Sequence, residues 1–360
     1  MTKKFLFLSA LVLMLASCGN ADNALEEIIN GGGNTSPLAT PLTLEATSAG
    51  TIVVSDPKDG MQYSLNGGAK TAVTTAAIDV AKGDKVAFYG KGTTITKYNG
   101  TIIAGGTADV KVYGNIMSLV DETGFATATS IPETLQVFSG LFTGNDHLTD
   151  ASGLQLPATT LSYECYAQMF WKCTNLTAAP KLPATKMAEQ CYAMMFEGCT
   201  SLATAPELPA TTLDIYCYSS MFRGCTSLTT APALPATTLA GLCYQSMFNG
   251  CTSLTTAPAL PATTLANQCY YSMFEGCTSL TTAPELKAET LVMECYRQMF
   301  MGCTNLTAVT CLATNISATD CTKDWLDGVA ATGTFTTPST TGWTANSASG
   351  IPSGWSRVAP

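Results

Sequence analysis

The chain has 360 residues, enough for two or three domains, and 46% are hydrophobic against 12% charged. That balance supports a sizeable core and argues against disorder along the whole chain, which goes with low hydrophobicity and high charge. The formal charge of −9 and the lack of a long basic run argue against nucleic acid as a partner, and a single histidine, His147, argues against histidine-based metal sites and Ser-His or Cys-His catalysis.

Met1-Thr2-Lys3-Lys4 is a short basic segment, and residues 5–15 form an apolar run interrupted only by Ser9. The run is too short to span a bilayer as a stable helix and suits an export signal. Leu15-Ala16-Ser17-Cys18-Gly19, which ends it, resembles the lipobox of bacterial lipoproteins. The resemblance implies cleavage before Cys18, acylation of Cys18, and a place on the bacterial outer membrane, lipid-anchored and surface-exposed. Residues 1–17 are then the signal peptide and 18–41 a lipidated tether, made flexible by Gly31-Gly32-Gly33-Asn34-Thr35-Ser36-Pro37.

Residues 42–118 predict a small all-β sandwich. Segments 42–46, 51–54, 61–65, 85–89, 101–103 and 109–113 are rich in strand formers, with turn signals such as Asn66-Gly67-Gly68 and Ala81-Lys82-Gly83-Asp84 among them. The expected role is a spacer between membrane and repeats. The alternative is glycan capture through Tyr63, Tyr89 or Tyr98, although aromatics on strands usually pack.

Cys165, Cys191, Cys217, Cys243, Cys269, Cys295 and Cys321 recur every 26 residues, and Cys173, Cys199, Cys225, Cys251, Cys277 and Cys303 keep the same step. The unit reads C-Y-x-x-M-F-x-G-C-T-S-L-T-T-A-P-x-L-P-A-T-T-L-x-x-x. Such self-similarity is the signature of stacked repeats, with degenerate units near 137–156 and 321–328 as caps. At about 100° per residue, the two cysteines, Tyr, Met and Phe fall within about 140° of one another. That predicts a short amphipathic helix stopped by Gly. The prolines of the second half predict an extended segment. The fold class expected is a mixed α/β repeat solenoid of leucine-rich-repeat type over 132–330, with a C-terminal extension of short strands and loop at 331–360. Helices packing at about 8–10 Å and strands at about 4.8 Å predict a curved array with strands on the concave side.

The units M-F-x-G-C-T-S-L and L-P-A-T-T-L resemble the BspA-like leucine-rich repeats of surface lipoproteins from anaerobic bacteria, over about 137–328. The resemblance implies adhesion to host or bacterial surfaces. The spacing departs from the commoner, shorter unit of that family, and prolines sit inside the strand segment.

Cys217 and Cys225 would lie about 12 Å apart along a helix, beyond the limit of about 7 Å between bridged Cα atoms. Bridges between units face the wide helical spacing, so the cysteines are expected as buried thiols filling the core. No nucleophile elbow, phosphate loop, paired carboxylates or zinc motif stands in convincing context. No catalytic, cofactor-binding or metal residue is therefore assigned, no cofactor is implied, and no enzyme activity is expected. Candidate binding-face residues are those that vary between units: Glu207, Arg223, Gln245, Asn249, Tyr271, Glu275, Glu285 and Arg297. The function expected is a surface lipoprotein that binds a host or microbial macromolecule, protein or glycan, through the repeats. Membrane contact is through the lipid alone. The alternative is a structural spacer or coat with no specific ligand.

Overall fold

The apolar pairs Cys-Tyr and Met-Phe of each unit alternate with pairs of mostly polar or small residues, a pattern with a period of four. In the computed structural model, which describes residues 37–91, 100–131, 136–338 and 342–360, this pattern forms a ladder of overlapping four-residue turns. In the unit starting at Cys191, the N–H groups of Cys191, Ala193, Met195, Glu197 and Cys199 donate to carbonyls three residues back, at 3.1–3.2 Å. The intervening N–H groups of Gln190, Tyr192, Met194, Phe196 and Gly198 donate to the carbonyls of Ile215, Cys217, Ser219, Met221 and Arg223 in the next unit, at 2.8–3.0 Å. Gln190, Met194 and Gly198 have φ of 57°, 55° and 76°. Each occupies the third position of every second turn, where a type II turn requires positive φ.

No α-helix is present among the described residues. This overturns the expected amphipathic helix and with it the mixed α/β solenoid of leucine-rich-repeat type. A period of four, roughly 90° per residue, is so close to the helical 100° that nine residues accumulate only about 80° of difference. Both backbones bury the same five side chains, and stacking decides between them. Helices would stand about 8–10 Å apart, hydrogen-bonded backbones about 4.8 Å. The turn ladder lets both flanks of a unit adopt the narrower spacing, and a nine-residue helix has little stability of its own to set against that. The mismatch that predicted curvature is absent. Neighbouring units also lie closer at the cysteines than helices would allow, so the spacing argument against inter-unit bridges does not hold. Tyr192 stacks on Tyr218 at 5.9 Å between ring centroids and Phe196 on Phe222 at 5.7 Å.

On the other flank, Thr230 bridges both Thr204 and Thr256, and Thr238 bridges Thr212, all in parallel register. The prolines between these bridges have no N–H to donate. Where Lys287 replaces a proline, Leu286 N–H reaches Thr310 O at 3.0 Å and Leu312 N–H reaches Leu286 O at 2.9 Å.

The repeats begin from a β-rich region. Strands β1 (Thr43–Ala46), β2 (Gly50–Ser55), β3 (Gln62–Leu65), β4 (Thr71–Ala72), β5 (Ile78–Val80), β6 (Lys85–Tyr89), β7 (Ile102–Gly106) and β8 (Val110–Asn115) precede β9 (Leu148–Gln155). They form two sheets, ordered β4-β3-β6-β1-β8-β9 and β5-β2-β7. Val86 and Phe88, and Val110 and Val112, are buried at every second position, as one-sided strands require. All pairs are antiparallel except β8 with β9, which is parallel. Strand β9 then bridges Ala178 through Asp150. The sheet thus runs on into the repeats, and Leu38–Pro360 form one compact unit.

At the far end, β10 (Ala308–Thr310), β11 (Gly333–Thr336) and β12 (Trp355–Val358) pair in parallel. Trp325 ends the tyrosine column, 6.2 Å from Tyr296. It packs against Trp343 at 5.4 Å and edge-on to Phe335 at 5.9 Å, and its indole N–H donates to Gly350 O at 3.0 Å. The cover of the last unit therefore extends well beyond residues 321–328.

Candidate binding surface

The turn ladder turns two residues into the core and two away from it, so residues at one unit position form a column along the stack; at the position after Cys-Tyr, Ala167, Ala193 and Ser219 are buried, and Gln245, Tyr271 and Arg297 are partly exposed. Six of the eight candidates lie in two such columns. Arg223, Asn249 and Glu275 share the position before Gly with Trp171 and Glu197, and Gln245, Tyr271 and Arg297 share the position after Cys-Tyr. Some neighbours within these columns touch. Arg223 Nη1 lies 3.9 Å from Glu197 Oε1, and Asn249 Nδ2 donates to Glu275 Oε2 at 2.9 Å. The Arg297 guanidinium lies 5.6 Å from the Tyr271 ring centroid and donates to Glu294 at 2.6 Å. Glu207 and Glu285 are not part of this group. They are exposed in the Ala-Pro-x-Leu segment, three units apart in a column that carries Ala233 and Ala259 between them.

Behind these columns the chemistry is closed. The second cysteine of each unit donates its S–H to the phenylalanine carbonyl of the preceding unit. Cys199 reaches Phe170 O at 3.1 Å, Cys225 reaches Phe196 O at 3.1 Å and Cys251 reaches Phe222 O at 3.0 Å. Burial pushes the thiols of Cys165 and Cys251 up to about 12, so they are held as neutral core groups rather than nucleophiles. The buried hydroxyls of Tyr166, Tyr192 and Tyr218 have no hydrogen-bond partner. The tyrosine column therefore stacks these rings without satisfying their polar tips.

His147 lies at the junction with the β-rich region, half-exposed, its Nδ1 2.8 Å from Asp109 Oδ1. Tyr63 packs against the core, and Tyr89 carries the Lys70 ammonium 3.9 Å from its ring centroid. Tyr98 and the lipidation candidate Cys18 lie outside the described residues. Trp171 and Lys172 escaped the sequence reading. They stand where five full units have x-Gly, and Lys172 keeps the positive φ, 58°, that glycine takes elsewhere. The signal was the W-K-C triplet itself, which breaks an otherwise regular column. Beside it, burial raises the Glu197 carboxyl, while Arg223 and the Trp171 indole N–H oppose that shift.

No family model matches the chain, and neither a curated protein nor a solved structure matches it.

Proposed function

We propose that the chain is a lipid-anchored surface protein that holds a macromolecular ligand on the outward columns of its turn ladder and turns over no substrate. The observation that carries this reading is the grouping of six variable side chains into adjacent columns, each repeating at backbone spacing. Such columns spread many small contacts along an extended partner. The lipobox-like segment ending in Cys18 supports anchorage at the outer membrane, and the likeness of M-F-x-G-C-T-S-L to BspA-like repeats supports adhesion.

The test is deletion of residues 217–268, two whole units, which preserves the register. Adhesion of cells displaying the chain to matrix proteins or mucin should fall sharply, while Arg223→Ala alone changes it little. Unchanged adhesion after the deletion would sink the proposal. Deleting 42–118 is a poor control, because it strips β8 from β9 and uncovers the first repeat.

A further inference from the structure

The departure at Trp171 and Lys172 coincides with a hollow of about 280 Å³ lined by Gly100, Ile102, Ser139, Gly140, Thr143, Gln168 and Trp171. It lies where the β-rich region meets the first turns: Ile103 N–H donates to Leu141 O at 2.7 Å, and Asn145 Nδ2 donates to Ile103 O at 3.0 Å. The walls are fixed by these bonds and by Thr143 Oγ1, which donates to Gln168 O at 2.8 Å. Trp325, Trp343 and Trp355 are buried in the C-terminal cluster, whereas Trp171 is half-exposed. The lining pairs one aromatic and one aliphatic side chain with two hydroxyls and an amide, and it contains no ionised group. The Lys172 ammonium lies over the indole ring, 4.1 Å from its centroid, so one of the two faces of Trp171 is already covered.

We propose that this hollow binds a neutral pyranose ring of a glycan, stacked on the face of Trp171 that Lys172 leaves open. A sugar ring presents an apolar C–H face and a rim of hydroxyls. An amphipathic indole beside serine, threonine and glutamine matches both, as polar groups placed around an apolar wall do in small-ligand sites. The volume admits about one ring, so the hollow reads a terminal or projecting sugar rather than a chain. The other units place Glu, Arg, Asn or Met at the Trp171 position, and none of them offers such a wall. This inference deepens the binding reading by naming a ligand class, but it uses a site outside the residues removed in the 217–268 deletion.

The experiment is calorimetric titration of the full chain in detergent with gluco-, galacto- and manno-configured neutral oligosaccharides, followed in parallel by tryptophan emission. At least one series should bind saturably and shift the emission. Trp171→Asn, which copies Asn249 of a folded unit, should weaken that binding by about tenfold or more, as expected for loss of one stacked ring. The 217–268 deletion should leave sugar binding intact even where it abolishes adhesion, which separates failure of this site from failure of the column reading. Absence of saturable binding by every neutral series would overturn the proposal. So would affinity unchanged in Trp171→Asn, or a preference for acidic sugars that disappears in Lys172→Ala.

Discussion

The two flanks of each repeat hold neighbouring units by different means. On the turn flank of the Cys191 unit, five N–H groups cross to the next unit, and every apolar side chain of the pattern is buried. On the Thr-Pro flank, isolated threonine bridges alternate with prolines that donate nothing. Register and stability therefore reside mainly in the turn flank. The proline flank is free to change composition, as it does where Lys287 and Glu289 replace Pro and Thr.

The sharpest way to break this contrast is to remove one ring from the turn flank. Phe222→Ala should lower stability by about 3–5 kcal/mol, since its neighbours in the column cannot close the gap without shifting their own backbone bonds. Pro235→Ala on the other flank should stay within about 0.5 kcal/mol. Urea midpoints of the two variants test the pair, and equal losses would mean that the flanks share the load.

Alkali should act on the same flank. Below about pH 9 the cysteine thiols are protonated whether the chain is folded or unfolded. Between 9.0 and about 12 only the unfolded chain ionises them, because burial keeps Cys165 and Cys251 neutral in the fold. Stability falls as pH rises through that window, by about 1.4 kcal/mol per pH unit for each such thiol. Melting temperature should decline from about pH 9 upward, and less steeply in Cys251→Ala. A melting temperature flat to about pH 11 would contradict the buried, neutral state of the thiols.

One substitution on the turn flank should give a gain. Tyr218→Phe removes a buried hydroxyl without a partner and keeps the ring stack. It should stabilise the chain by about 1 kcal/mol, read as a higher urea midpoint. A loss would reveal a bond to that hydroxyl.

Much of this was legible in the residues, and the failure is instructive. The 26-residue step, the inward Cys, Tyr, Met and Phe, and the extended proline segment all follow from spacing and side-chain chemistry. The backbone beneath C-Y-x-x-M-F did not, because periods of four and 3.6 bury the same positions over nine residues. What separates them is the distance to the next unit, a property of the stack rather than of any single segment. Positive φ at Met194, Ser220 and Ser246 left no trace either, since none is glycine. The column positions of Arg223, Asn249 and Glu275 could be read from the step alone, but their grouping with Gln245, Tyr271 and Arg297 depends on the turns.

Hydrogen bonds that run from each unit to the next at one constant offset make the interior units interchangeable. A pairing displaced by a whole unit would satisfy the same donors and bury the same rings, so the middle of the stack cannot tell a correct alignment from a slipped one. Landmarks must do so. Strand β8 against β9 marks the beginning, and the tryptophans of the C-terminal cluster mark the end. Assembly that starts at either landmark and adds units in order avoids the degeneracy. A stack built this way also tolerates the gain or loss of whole units, which changes its length while its ends and cross-section stay the same.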